Sequence, residues 1–236
     1  IVMIKMNKIP LLNAFGHNSQ LKKFTKGRNK IKDLYLSEKK FFLDSVKNSK
    51  TFLDFGSAAG NFIDIIEKIS KIKKYTGLDI SEDMLKKAKL LHPRHEFKKF
   101  NGKRILMKSK FNLVYSFGTL IYCTNYQNLI KDFINLSDRY INFDVRLVFD
   151  QTLINKKKSY QIIAAKPLLK FPYVIINFNE FLEFLIKTTK CKYKISLFGY
   201  NHPVAGDVRS RYKNVLMTSV LIDKTKSFSL NIDIQK

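Results

Sequence analysis

The sequence of 236 residues predicts an α/β domain: a mostly parallel seven-stranded sheet with an antiparallel last strand and helices on both faces. Three observations carry this. Short apolar runs rich in β-branched and aromatic residues alternate with stretches whose apolar residues recur at helical spacing. A glycine-punctuated turn joins the first run to the first such stretch. The last two runs are separated by residues 201–213, which lack the helical pattern a parallel crossover needs, so those strands are antiparallel neighbours.

Residues 1 to about 36 are basic and weakly patterned, with Gly16, Gly27 and Asn29 as breakers, and predict an irregular segment. Ser37 is placed to cap a short helix with Glu38 in its first turn and Phe41, Phe42 and Val46 as its apolar stripe. Residues 1–50 thus form a cap segment with one helix, and residues 51–236 the main domain. In that domain residues 51–55 read as a buried strand, and Phe62, Ile63, Ile65, Ile66 and Ile69 give the helix after it. Residues 75–80 are the second strand. Ser81 then caps a helix whose Glu82 and Asp83 suit the positive end of its dipole. Strands follow at 95–100, 111–117 and 140–148, the last preceded by a helix over 125–136. Beyond an unassigned stretch come a helix at 180–189 and strands at 193–200 and 214–222.

The length suits one filled core, and a hydrophobic fraction of 45% with aromatics spread along the chain excludes a disordered protein. The formal charge of +25 points to an anionic partner. Its lysines are nevertheless dispersed, with clusters at residues 22–32, 68–74, 98–110 and 156–158. The reading is a generally cationic surface that binds nucleic acid non-specifically. Cys123 and Cys191 are far apart and form no metal or disulfide pattern, which fits a reducing, cytoplasmic compartment. Lys5 and Lys8 interrupt the apolar start, so no leader is expected, and the uncharged run 111–130 carries too many Asn, Ser and Thr for a membrane helix.

The chemistry-bearing signal is Asp54-Phe55-Gly56-Ser57-Ala58-Ala59-Gly60 at a strand-to-helix junction, followed by Asp79 at the end of the second strand. Gly56 can take backbone angles closed to other residues, and Gly60 allows close approach of a ligand. An acidic residue in the place of Asp79 can accept from both hydroxyls of a ribose.

These residues resemble the first motif of the class I, Rossmann-like S-adenosylmethionine-dependent methyltransferases, an acidic residue, one residue, then Gly-x-x-x-Gly. Ala58 stands where a nicotinamide-binding fold wants glycine. The paired final strands also resemble the family's ending. The resemblance implies S-adenosylmethionine as cofactor, with Gly56, Ser57, Ala58 and Gly60 lining its methionine moiety, Asp54 orienting it, Asp79 holding the ribose and Ile80 packing on the adenine. Asn101 and Gly102 follow the third strand where the family often has an Asp for the adenine amino group; a plain turn is the other reading. Ser116 and Phe117, with Gly118, stand where the family's backbone meets the cofactor and substrate.

No Asn/Asp-Pro-Pro-Tyr/Phe sequence follows the fourth strand, which excludes the class that uses it on exocyclic base nitrogens. Cys123 reads as a small core residue, and the histidines indicate no metal site. His202, beyond the carboxyl end of the strand at 193–200, is the candidate general base. Asp207 would orient its ring, and Arg209 and Arg211 would hold an anionic substrate; a solvated hairpin loop is the competing reading, and His17 the next candidate base. The implied reaction is methyl transfer to an oxygen or nitrogen of a small metabolite or glycan precursor. An RNA methyltransferase and a non-catalytic cofactor-binding scaffold are the alternatives.

Overall fold

The computed structural model describes residues 28–163 and 169–235. His17 and most of the expected 1–50 cap lie outside them. Within them a 3-10 turn, Ile31–Asp33, leads into α1 (Leu36–Lys47), which packs on the central sheet. Its N-cap is Tyr35 rather than Ser37: the Glu38 carboxylate reaches back to accept the Tyr35 N–H at 2.9 Å, satisfying a donor that the helix leaves free.

The main domain then runs β1 (Thr51–Phe55), α2 (Ile63–Ile69), β2 (Lys74–Asp79), α3 (Glu82–Leu91), β3 (Glu96–Lys99), β4 (Phe111–Ser116), α4 (Tyr126–Leu136) and β5 (Ser137–Val148). The Ser81 hydroxyl accepts from Met84 N at 3.3 Å and starts α3 as the sequence predicts. Next come β6 (Tyr160–Ile163), β7 (Leu169–Pro172), β8 (Ile176–Asn177), α5 (Phe178–Thr189), β9 (Lys194–Pro203), β10 (Val208–Arg209), β11 (Asn214–Asp223) and β12 (Ser229–Gln235).

The central sheet has the order β12-β9-β11-β5-β4-β1-β2-β3, with β8 beside the end of β5. β11 lies antiparallel to both β5 and β9, as expected of the last strand pair. The sheet has nine strands where seven are expected, because β8 and the edge strand β12 extend it. β12 pairs parallel to β9.

The pleat divides the core. Leu53, Phe55, Val114 and Phe143 face Leu129 and Phe133 of α4 and Phe181 of α5. Phe52, Tyr75, Leu113 and Tyr115 face Phe42 of α1, Ile63 and Ile66 of α2, and Leu85 of α3. Fully burying each such side chain is worth about 1.5–3 kcal/mol. The helices thus clamp a rigid sheet and leave free the loops at the carboxyl ends of β1, β2, β4 and β5, where open α/β sheets bind ligands. A second, three-stranded sheet, β10-β6-β7, stands over that end.

Candidate cofactor and acceptor site

The turn after β1 is built on backbone angles that favour glycine, with φ +84° at Gly56 and +83° at Gly60; Ala58 between them also has a positive φ of 45°. Gly56 N and Ser57 N donate to Leu78 O at 2.7 and 3.1 Å, and Ala58 N donates to Asp79 Oδ2 at 2.9 Å. The turn is thereby tied to the end of β2. Asp79 Oδ1 accepts from Ser81 N at 2.8 Å. Burial raises the Asp79 carboxyl above its ordinary value, opposed by the N–H groups of Ser81, Ala58 and Ile80. A carboxylate has about four lone-pair sites, so these three donors leave Asp79, which lines the cavity, with acceptor capacity.

That cavity has a volume of about 640 Å³, within the usual range for small-molecule sites. Gly56, Ser57, Ala58, Asp79, Ile80, Gly102 and Phe117 line one half, with Met84 and Phe100 closing the far wall. His202 lines the other half, so the topology brings the candidate base and the glycine turn to one space. This fits a nucleoside with a short polar arm: an apolar slot beside Ile80, a carboxylate at Asp79, and a turn without side-chain bulk.

Four other expected residues do not line the cavity. Asp54 projects to the opposite side of β1 from Leu53 and Phe55, where its Oδ2 accepts from Tyr75 Oη at 2.6 Å and Tyr115 Oη at 2.9 Å. It is 2% exposed, and burial pushes its pKa up to about 7 despite both tyrosine donors. Gly60 is required by packing: a Cβ there would stand 2.9 Å from the His92 ring and 3.1 Å from Ile63 Cδ1, inside the protein. The Asn101 side chain accepts from Lys103 N at 2.9 Å and serves a turn. Ser116 is fully buried at the end of β4.

The acceptor half holds residues that the sequence did not disclose. Arg146, near the carboxyl end of β5, lies within the cavity wall 2.7 Å from Asp144 Oδ2. Burial alone would lower its pKa, but Asp144 and Tyr173 hold it above its ordinary value. Asp144 Oδ1 also accepts from Gly118 N at 2.7 Å, which fixes the loop after β4. Tyr122 Oη donates to Gln161 Oε1 at 2.6 Å, and Gln161 Nε2 donates to Asp207 Oδ2 at 2.8 Å. Asp207 therefore holds Gln161 rather than His202. The His202 ring is instead set by the carbonyl of Pro203, 2.7 Å from Nδ1. That contact assigns the proton to Nδ1 and leaves Nε2 as the ring's acceptor. Arg209 and Arg211 are turned away, toward Gly206 O and Asp150 respectively. Cys123 borders the cavity as a thiol, its pKa pushed up to about 12 by burial.

Residues 46–176 match the methyltransferase-domain family. The chain belongs to that family, in the class I, Rossmann-like, S-adenosylmethionine-dependent group. Protein 235L of Invertebrate iridescent virus 6, provisionally named a methyltransferase, is 28% identical over 149 residues. That match covers 59% of this chain and 56% of the viral protein, so the chain spans a little over half its relative's length. Two solved methyltransferases share the fold. An S-adenosylmethionine-dependent enzyme, provisionally so named, from Listeria monocytogenes is 20% identical with a TM-score of 0.55, covering 78% of this chain and 96% of its own. The magnesium protoporphyrin IX methyltransferase of Synechocystis PCC 6803, solved with bound S-adenosylhomocysteine, is 13% identical with a TM-score of 0.54, over 90% and 97%.

Among the described residues no group of three or more His, Cys, Asp or Glu side chains is placed to hold a metal ion, and no helix is long and apolar enough to cross a membrane.

Proposed function

We propose that this methyltransferase-family chain moves the methyl group of S-adenosylmethionine to an oxygen or nitrogen of a small metabolite or glycan precursor. The observation that carries the reading is the charge of the cavity. In a chain of formal charge +25, no lysine lines it among the described residues. Its arginines, Arg28 and Arg146, are each paired with a buried carboxylate, Glu38 and Asp144. Asp79 and Asp207 add two carboxylates that no arginine or lysine pairs. The space is acidic inside a basic protein, which suits a sulfonium cofactor with a neutral or cationic acceptor and repels a phosphodiester chain. The basic surface then accounts for non-specific nucleic-acid binding alone.

In this reading the backbone of Gly56, Ser57 and Ala58 borders the methionine arm, Asp79 accepts from the ribose hydroxyls, and Ile80 packs on the adenine. When bound, the cofactor supplies a methyl group on a good leaving group, so positioning provides much of the rate. His202 Nε2 takes the proton of an acceptor that must lose one. Arg146, Tyr173 and the Tyr122–Gln161–Asp207 chain orient the acceptor's polar groups. Cys123 and Cys191 are both free, as suits the cytoplasmic setting of this reading.

The test is transfer of isotopic methyl from S-adenosylmethionine to fractionated cell extract. Label in the low-molecular-mass fraction supports the reading. Label in RNA at a defined nucleotide overturns it in favour of an RNA methyltransferase, and binding without transfer to any fraction favours a scaffold.

A further inference from the structure

Arg28 enters the reading above only through its pairing with Glu38 and has no ligand contact in it, yet it lines the same cavity. Its guanidinium carbon lies 5.4 Å from the centre of the Phe62 ring, just past the glycine turn, and 5.3 Å from that of Tyr35. One of its terminal nitrogens is 3.6 Å from where a Cβ on Gly118 would stand, at the loop after β4. It thus bridges the two loops that close the cavity on the side of β1 away from Asp79.

The guanidinium is held in place from behind. Nη1 pairs with Glu38, which is 1% exposed and anchored by the Tyr35 N–H. Two aromatic rings flank the plane. A guanidinium has five N–H donors in a fixed fork, so pairing with Glu38 leaves donors on the remaining edge, and the Arg28 side chain keeps 30% exposure. A buried carboxylate behind and aromatic faces beside it pre-organise Arg28 for a second, bidentate carboxylate in front.

In the sheet order, β4 stands two strands from β2 with β1 between them, a separation of about 10 Å at the usual inter-strand spacing. A ligand whose ribose lies on Asp79 and whose chain crosses the Gly56 turn therefore brings its far end to Arg28. We infer that Arg28 binds the α-carboxylate of the cofactor's methionine arm, making it a determinant of cofactor recognition supplied from outside the glycine turn. The inference rests on the reading of this cavity as an S-adenosylmethionine site.

The experiment compares two probes by calorimetry on the full chain, S-adenosylhomocysteine and 5′-methylthioadenosine, which shares the nucleoside and thioether but lacks the amino acid. With Arg28→Ala, affinity for S-adenosylhomocysteine is expected to fall at least tenfold while that for 5′-methylthioadenosine stays within about twofold. Arg28→Lys, which keeps the charge without the fork, is expected to fall in between. The 5′-methylthioadenosine measurement also reports whether the variant has folded. An equal loss for both probes means that Arg28 only supports the structure, and no loss for either means that it does not touch the ligand; each result overturns the inference. A wild-type chain that binds neither probe contradicts the cofactor reading itself.

Discussion

Replacing Asp54 with Asn should change how stability depends on pH, by an amount that follows from its position. The carboxyl is 2% exposed, accepts from Tyr75 and Tyr115, and has a folded-state pKa of about 7 against an ordinary 3.8. The folded-state value is the higher one, so the neutral acid is favoured by folding. Its contribution is complete below pH 3.8 and is lost as pH rises through 7. A separation of about three pH units, at about 1.4 kcal/mol each, makes this about 4 kcal/mol. Asn keeps an oxygen that accepts from both tyrosines and does not ionise. The assay is urea unfolding of both proteins from about pH 4 to about pH 8, read as the difference in unfolding free energy. Glu38 and Asp79, also raised by burial, affect both proteins alike and cancel. The variant should gain on the wild type by about 4 kcal/mol over that range, with S-adenosylhomocysteine affinity nearly unchanged because Asp54 faces away from the cavity. A difference that does not vary with pH would refute the argument.

Asp79→Ala removes charge-assisted hydrogen bonds of about 1.5–3 kcal/mol each, so calorimetry should show S-adenosylhomocysteine binding weakened at least tenfold; unchanged affinity removes Asp79 from the ribose site. Gly56→Ala puts a methyl carbon 1.9 Å from Thr119 Oγ1 at a φ of +84°, so thermal unfolding should show a loss of about 1–3 kcal/mol. Gly206→Ala, with nothing within 4 Å, should cost far less, and equal losses would contradict the steric account. His202→Ala should lower turnover on the true acceptor about a hundredfold or more with cofactor affinity retained; wild-type turnover would exclude it as the base. At about pH 8, alkylation mapped by mass spectrometry should mark the exposed Cys191 before Cys123, whose thiol is held protonated.

The β1-turn-α2-β2-α3 unit was readable in the sequence because each of its features is local. A strand run, glycines at a turn, a Ser cap and a terminal Asp declare themselves without knowledge of their neighbours. Beyond His202 the acceptor half was not readable, since it assembles from β5, β9, β11 and the β10-β6-β7 sheet, which are distant along the chain. β6 and β7 are four residues each, and β10 only two, too short to show a period, and Lys156 to Lys158 precede them. Arg146 was hidden because Asn142, Asp144 and Arg146 alternate with apolar residues along β5, and alternation alone does not say whether the polar face meets a neighbouring element, solvent or a cavity. β12 did leave a signal, the alternation of Leu230, Ile232 and Ile234 with polar residues, as an edge strand should. Asp54 shows the limit of a motif match: the motif names the residue, but the pleat of β1 turns its carboxylate toward Tyr75 and Tyr115.

The most direct test of the account is a crystal structure of the chain with S-adenosylhomocysteine. The account predicts ribose hydroxyls on the Asp79 carboxylate, adenine against Ile80, and the sulfur facing the enclosure formed by Arg146, Tyr173 and His202. A nucleoside bound away from Asp79, or a sulfur opening onto the lysine-rich surface, would contradict it.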